Sequence, residues 1–206
     1  MKSRPNPFLR SAALAASFVL CLGSTASAAT YYWDGGITNI GTVGNAASDP
    51  AANGTWDATI QNWDQSTTGL AHVAWSNSLS DTAVFAGTAR TVTIGTVNVG
   101  TLNVRTNAYV FGTLNTGSMT FSNGFIDIGS TSANTVNSIA IKSNLIGSLT
   151  VNSSNNTQAA GVALATISGT NTSGVNTYSG TLALDDAATL SAVSGGRVDF
   201  TGAISD

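Results

Sequence analysis

Between residues 91 and 128 apolar and polar positions alternate in short bursts, each closed by Gly, Asn, Ser or Thr. Val92/Ile94, Val97/Val99 and Leu102/Val104 are spaced by two, the signature of strands with one buried face. Further bursts follow at 109–114, 119–121 and 125–128. Residues 95–99 (GTVNV) are nearly repeated at 100–104 (GTLNV), and GTLN returns at 112–115. A five-residue step is odd, so one unbroken strand would place successive copies on opposite faces. A bend or bulge at each glycine restores the facing. The stretch is expected to form stacked short strands with corners, a coil of β-structure and not a hairpin meander.

The same texture continues to the C-terminus. Strand-like runs occur at 138–141, 148–151, 162–167, 181–184, 189–193 and 197–200, separated by turn-forming segments at 130–137, 152–160 and 169–176. Two or three such strands make a coil of ~20 to 25 residues, comparable with known solenoid repeats. An antiparallel sandwich or barrel is the competing topology. Its tight-hairpin signal occurs at Asn53-Gly54 and Asn123-Gly124, too seldom to favour it. Gly, Thr, Val, Ser and Asn are poor helix formers, and no amphipathic helical window follows residue 28. The chain is 42% hydrophobic, which opposes disorder. The expected class is all-β, a parallel β-helix.

Residues 29–87 differ from this repeat region, 88–206. All four tryptophans, Trp33, Trp56, Trp63 and Trp75, lie here, with the single histidine, His72. An open coil end exposes apolar surface, so terminal units of solenoids are atypical caps; an aromatic-rich N-terminal cap meets that need. The alternative is carbohydrate binding, with Trp56 and Trp63 stacking on sugar rings, but tryptophan more commonly fills cores. His72 has no second His and no nearby Cys, a thin partner set for a metal site or a catalytic dyad. The aspartates after Trp33, Trp56 and Trp63 are read as turn caps, since the spacing of a calcium loop is missing. No metal and no cofactor is expected.

Residues 1–28 are read as a cleaved signal peptide: Lys2, Arg4 and Arg10, an apolar run from 12 to 22, and Ala26-Ser27-Ala28 before the cut. That run is shorter than the ~18 to 20 residues of a spanning helix, so the mature chain is expected to lack a transmembrane segment. It also takes with it Cys21, the only cysteine, which leaves neither disulfide nor thiolate chemistry. Loss of three basic residues moves the formal charge from −3 to −6, with Arg90, Arg105, Lys142 and Arg197 facing ten aspartates. Nucleic acid is excluded as a partner.

Chemistry is scarce. The chain has no glutamate, and no nucleophile elbow, phosphate loop, dinucleotide fingerprint or zinc-protease motif. Polysaccharide-active β-helices place acids on adjacent coils, and Asp185, Asp186 and Asp199, with Arg197, are the only candidates. Neighbouring strand residues face opposite ways, so Asp185-Asp186 reads as a solvated corner. The expectation is a chain without catalytic residues.

Residues 174–184 (GVNTYSGTLAL) resemble the Gly-x-Asn-Thr-Tyr-x-Gly unit of autotransporter-associated β-strand repeat proteins. Residues 164–171 are similar to the strand leading into that unit, and 198–205 to a following coil. The Tyr31-Tyr32-Trp33-Asp34-Gly35-Gly36 start is similar to the mature N-termini of such proteins. The resemblance implies a right-handed parallel β-helix in a secreted or outer-membrane-associated bacterial surface protein. It implies adhesion or cell-surface display, with glycans or cell-surface components as partners. It also implies a longer chain, with downstream repeats and a C-terminal barrel, so residues 1–206 are expected to be a fragment.

Overall fold

A computed structural model describes residues 27–35, 53–65, 72–113, 116–129, 137–152, 165–169, 172–185, 188–192 and 194–206. The signal-peptide reading lies outside them, save for its last two residues. The head contributes β1 (Thr30–Trp33), β2 (Gly54–Trp56), β3 (Trp63–Asp64) and β4 (Thr82–Phe85). Next come β5 (Thr91–Ile94), β6 (Thr96–Asn98), β7 (Thr101–Val104), β8 (Tyr109–Phe111), β9 (Ser118–Thr120) and β10 (Gly124–Ile128). The rest are β11 (Asn137–Ile141), β12 (Asn144–Ile146), β13 (Leu149–Asn152), β14 (Ala165–Gly169) and β15 (Val175–Ser179), then β16 (Leu182–Leu184), β17 (Ala188–Ala192), β18 (Arg197–Phe200) and β19 (Ile204–Ser205). Among the described residues there is no helix.

From β4 onward each strand pairs in parallel with the strand three places further along the chain. The result is three sheets, ordered β19-β16-β13-β10-β7-β4-β1-β3, β17-β14-β11-β8-β5-β2 and β18-β15-β12-β9-β6. None closes into a barrel, and the arrangement is compatible with a β-helix. Parallel neighbours stand ~4.8 Å apart, so aligned side chains stack in rows. In the first sheet Tyr31, Ala83, Leu102, Ile126, Val151 and Leu184 share a register. In the third, Val97, Met119, Leu145, Tyr178 and Phe200 do so. Within β7 the burial alternates, with Leu102 and Val104 inside and Thr101 and Asn103 half-buried. Each inward aliphatic side chain contributes about 1.5–3 kcal/mol by leaving water.

The odd five-residue repeat is resolved by corners. β5, β6 and β7 belong to three different sheets, and Gly95 and Gly100 stand at the two turns between them. Val97 and Leu102, equivalent in the two copies, are therefore both buried. Among the described residues neither Asn-Gly pair joins an antiparallel pair: Gly54 opens β2, which runs parallel to β5. Asn123 takes φ +52°, but Gly124 opens a strand whose partners, β7 and β13, are both parallel to it. The spacing of paired strands is less regular than expected: the step is 19 residues from Ala83 to Leu102 and 33 from Val151 to Leu184. The strand expected at 162–167 is β14, of which 162–164 lie outside the described residues. β12, β15 and β19 fall where no strand was read, β15 beginning inside the segment 169–176 that was expected to turn. Residue 87 is no seam between the sheets, because β4 pairs with β1 on one side and β7 on the other.

Candidate functional site

The head departs from the parallel pattern at one place. β3 runs antiparallel to β1, with Tyr32 opposite Asp64 and Trp33 opposite Trp63. The chain returns to bridge Trp63 with Val73: Val73 N donates to Trp63 O at 2.7 Å and Trp63 N to Val73 O at 3.2 Å. On the other side Asp34 N and Gly35 N both donate to Asn62 O, at 3.1 and 3.3 Å. These backbone bonds set Asp34, Asp64 and His72 side by side. Their possible ligand atoms lie within 4.8 Å of one another, and all three residues are buried.

His72 Nε2 is 2.5 Å from Asp34 Oδ2 and 3.5 Å from Asp64 Oδ1. The His72 side chain has no exposed surface, and those of Asp34 and Asp64 are 5% and 2% exposed. Neither ring nitrogen of His72 finds an acceptor in hydrogen-bonding direction, and Asp34 Oδ2 receives no hydrogen bond. The cluster thus holds two carboxylates and one imidazole away from water, where charges need compensation. A substrate cannot reach it in this arrangement, and it offers metal-ligand chemistry rather than an exposed acid–base pair.

His72 was expected to lack partners because its partners are 38 and 8 residues away in the chain. The available signal was the recurring Trp-Asp dipeptide, but that signal is ambiguous. Trp56-Asp57 looks the same, yet Asp57 turns outward and caps its own loop, accepting from Thr59 N at 2.7 Å and Ile60 N at 2.8 Å. Burial pushes its carboxyl up, and the bonds from Ile60 and Thr59 outweigh that and hold it below the usual range. The turn-cap reading therefore holds for Asp57, while Asp34 and Asp64 face His72.

Trp56 and Trp63, read as the carbohydrate alternative, are both 0% exposed. Trp63 stands at the centre of a ring cluster, 5.1 Å from Trp33, 5.1 Å from Trp56, 5.0 Å from Trp75 and 5.4 Å from Phe85. In this arrangement neither ring is open to a sugar, since both are fully buried.

Of the acids considered for polysaccharide chemistry, the two described, Asp185 and Asp199, stand beside or on strands of different sheets. Asp185 is exposed at the bend after β16, Asp199 lies on β18 in another sheet and chelates the Arg197 guanidinium, and Asp186 lies outside the described residues. Asp199 aligns with Thr177 on the neighbouring coil, not with a second acid. A separate buried acid, Asp81, ties the start of the head down. It accepts from Ala29 N at 2.8 Å and from the Ser76 hydroxyl.

The resembling unit has a structural explanation. Asn176 on β15 is buried, and its Nδ2 donates to Ser143 O of the preceding coil at 2.9 Å. Thr177 N donates to Asn144 Oδ1 at 3.0 Å. Tyr178 points inward beside Asn176's row and meets Phe200 edge-on at 5.0 Å. Gly180 then makes the corner into β16 at φ +110°.

Compared with known proteins, the chain is 37% identical over 78 residues to the adhesin BmaC autotransporter of Brucella suis biovar 1 (strain 1330). The match takes in 37% of this chain and 2% of that adhesin's length. No protein-family profile matches the chain, and no solved structure matches it. No helix among the described residues is long and apolar enough to cross a membrane, which says nothing of a membrane β-barrel.

Proposed function

We propose that this chain is part of an exported, surface-displayed structural protein that works in adhesion or display and carries out no catalysis. In this reading the three sheets wind as a right-handed parallel β-helix, the hand that parallel crossovers take in ~98% of cases. The aromatic head caps its first coil. The observation that carries the reading is the sheet order, in which each strand meets the one three places on. The partial likeness to a bacterial adhesin supports it. β3 fits the capping role: a two-residue antiparallel strand occupies the head-side edge of the first sheet, where a long open edge invites pairing with other chains. Short polar outward positions, Thr91, Thr101 and Thr150 among them, leave the sides of the coil for contact with glycans or cell-surface components. The location that follows is extracellular or outer-membrane-associated.

The test is to express the chain with its own leader, fused at its C-terminus to an autotransporter barrel, in a non-adherent Gram-negative host. Surface exposure is scored by protease shaving of intact cells, and attachment on immobilised glycans and host-cell monolayers. The expected result is shaved fragments together with attachment above the empty-vector strain. Surface exposure without attachment would remove adhesion and leave display. Retention inside the cell would remove both.

A further inference from the structure

We propose that Asp34, Asp64 and His72 form a binding site for a divalent first-row transition ion, with zinc the best fit, and that this ion locks the aromatic head. Three independent features of the trio point to it. The first is composition: one ligand atom from each of His72, Asp34 and Asp64 lies within 4.8 Å of the other two, on buried residues. An imidazole nitrogen with two carboxylate oxygens suits zinc and its neighbours. Calcium takes six to eight oxygen ligands and magnesium an octahedral oxygen set, so a nitrogen-containing trio suits neither.

The second is charge. Two carboxylates and one imidazole still carry a net negative charge when the ring is protonated, and a divalent ion with a neutral ring balances them. Burying uncompensated charge is costly, and the head nonetheless buries all three groups. The third is unmet polarity. His72 is 3% exposed, yet neither of its ring nitrogens is hydrogen-bonded, nor is Asp34 Oδ2. Buried polar groups are ordinarily satisfied, and a metal bond to Nε2 and Oδ2 satisfies both atoms at once.

The two distances from His72 admit the ion with little movement. Tetrahedral ligand atoms about 2.0–2.2 Å from zinc stand about 3.4 Å apart. The His72–Asp64 separation, 3.5 Å, is already at that value. The His72–Asp34 separation, 2.5 Å, has to open by about 0.9 Å, within the reach of a rotation of the Asp34 side chain. The three residues come from the end of β1, from β3 and from the return to Val73. An ion among them therefore joins the pieces that close the head-side edge of the first sheet.

Because His72 is the only histidine, imidazole ligation is assignable without mutation. The full chain is produced without a polyhistidine tag, labelled with nitrogen-15, stripped with EDTA and titrated with zinc chloride. Calcium, magnesium and manganese chlorides serve as comparisons. One equivalent of zinc should move one His72 ring nitrogen to its metal-bound position and raise the melting temperature by about 5–10 °C at hundredfold excess over Kd. Asp34→Asn and Asp64→Asn should each weaken zinc binding at least tenfold. A His72 ring that does not respond to zinc overturns the proposal, whatever the variants do. So does tighter binding of calcium than zinc, or undiminished affinity in a folded Asp34→Asn chain. Should the variants fail to fold, the wild-type nitrogen signal decides alone.

Discussion

In the head, Trp63 meets Tyr31, Trp33, Trp56, Trp75 and Phe85, so that one side chain joins five others drawn from several strands. In the body, the row Val97, Met119, Leu145, Tyr178 and Phe200 advances one side chain per coil, each stacked on the last. Both regions build the same sheets, and β4 runs between them without a break. The head interlocks its contacts and also buries a polar trio, whereas the body adds contacts coil by coil. A stack of like coils has nearest-neighbour energetics. A ring cluster does not, since every ring touches at least two others and none can be lost alone.

The contrast is tested most severely by Trp63→Ala. The variant removes a fully buried ring from the centre of the cluster, and the expected cost is about 3–5 kcal/mol, measured by denaturant unfolding. Hydrogen exchange should show the loss of protection spreading over β1, β2 and β3 together. Met119→Ala, in the body row, should cost about 2–3 kcal/mol and loosen only the adjoining coils. Equal costs with equally local exchange in the two variants would erase the distinction between head and body.

The body has its own rigid points, at the corner between the third sheet and the first. A Cβ added at Gly180 would lie 2.2 Å from Gly147 O, and one at Gly147 2.0 Å from Phe121 O. Gly180 also takes φ +110°, a region that side chains strain to adopt. Gly180→Ala should therefore destabilise by about 3 kcal/mol in thermal or denaturant unfolding. Gly95, at another corner, has no positive φ, and its added Cβ meets Asp57 Cβ at 3.2 Å. Gly95→Ala is expected to cost less than about 1 kcal/mol. If the two alanines proved equally mild, the corner would have no special demand for glycine.

The strands were legible because their alternation is a property of neighbours. Val92/Ile94 and Leu102/Val104 announce an inward face in five residues of text, and the near-repeat at 95–104 announces the corner between two such faces. The Asn-Thr-Tyr unit was recognisable as a pattern, though not as a carbonyl-binding asparagine, because Ser143 lies 33 residues earlier. The polar trio was not legible at all. Trp33-Asp34, Trp56-Asp57 and Trp63-Asp64 are the same dipeptide, and only the antiparallel pairing of β1 with β3 turns two of the aspartates toward His72. Likewise Trp56 and Trp63 carry no mark that separates a stacking platform from a core ring. Their burial follows from ring neighbours, five around Trp63 and three around Trp56, that come together only in the fold.

Asn176→Ala probes the body's polar interior. The substitution leaves Ser143 O without the Nδ2 donor that reaches it at 2.9 Å in a buried position. Stranding a buried carbonyl costs about 2 kcal/mol, which denaturant unfolding should show. Asn176→Asp is a sharper control, because it keeps the shape and replaces the donor by an acceptor. It should cost at least as much at neutral pH, and a neutral outcome for both variants would mean that the ladder of coils does not depend on this bond.

The smallest expected effect concerns Tyr178, the neighbour of that asparagine in the same strand. Its hydroxyl is buried without a hydrogen-bond partner, and burial holds its acidity well below that of a free tyrosine, so the folded pKa lies above the ordinary value. An unfolded tyrosine loses its proton near pH ~10, while the folded one keeps it. The folded chain then binds more protons than the unfolded one, so stability is fully present below pH ~10 and declines as pH rises above it. Tyr109 is raised in the same direction by burial, opposed by Arg90, and its hydroxyl donates to Ala86 O at 2.7 Å. Two tyrosines thus contribute to an alkaline decline in the wild type. Tyr178→Phe should stabilise at neutral pH by up to about 1 kcal/mol, since it removes an unsatisfied polar atom at nearly constant volume. It should also lessen the decline above pH ~10 by up to about 1.4 kcal/mol per pH unit. Tyr109→Phe should lessen the alkaline decline too but lose stability at neutral pH, through its bond to Ala86. Urea unfolding of the three chains from pH 7 to 11.5 separates these outcomes, and a neutral-pH loss in Tyr178→Phe matching that in Tyr109→Phe would mean that the Tyr178 hydroxyl has a partner after all.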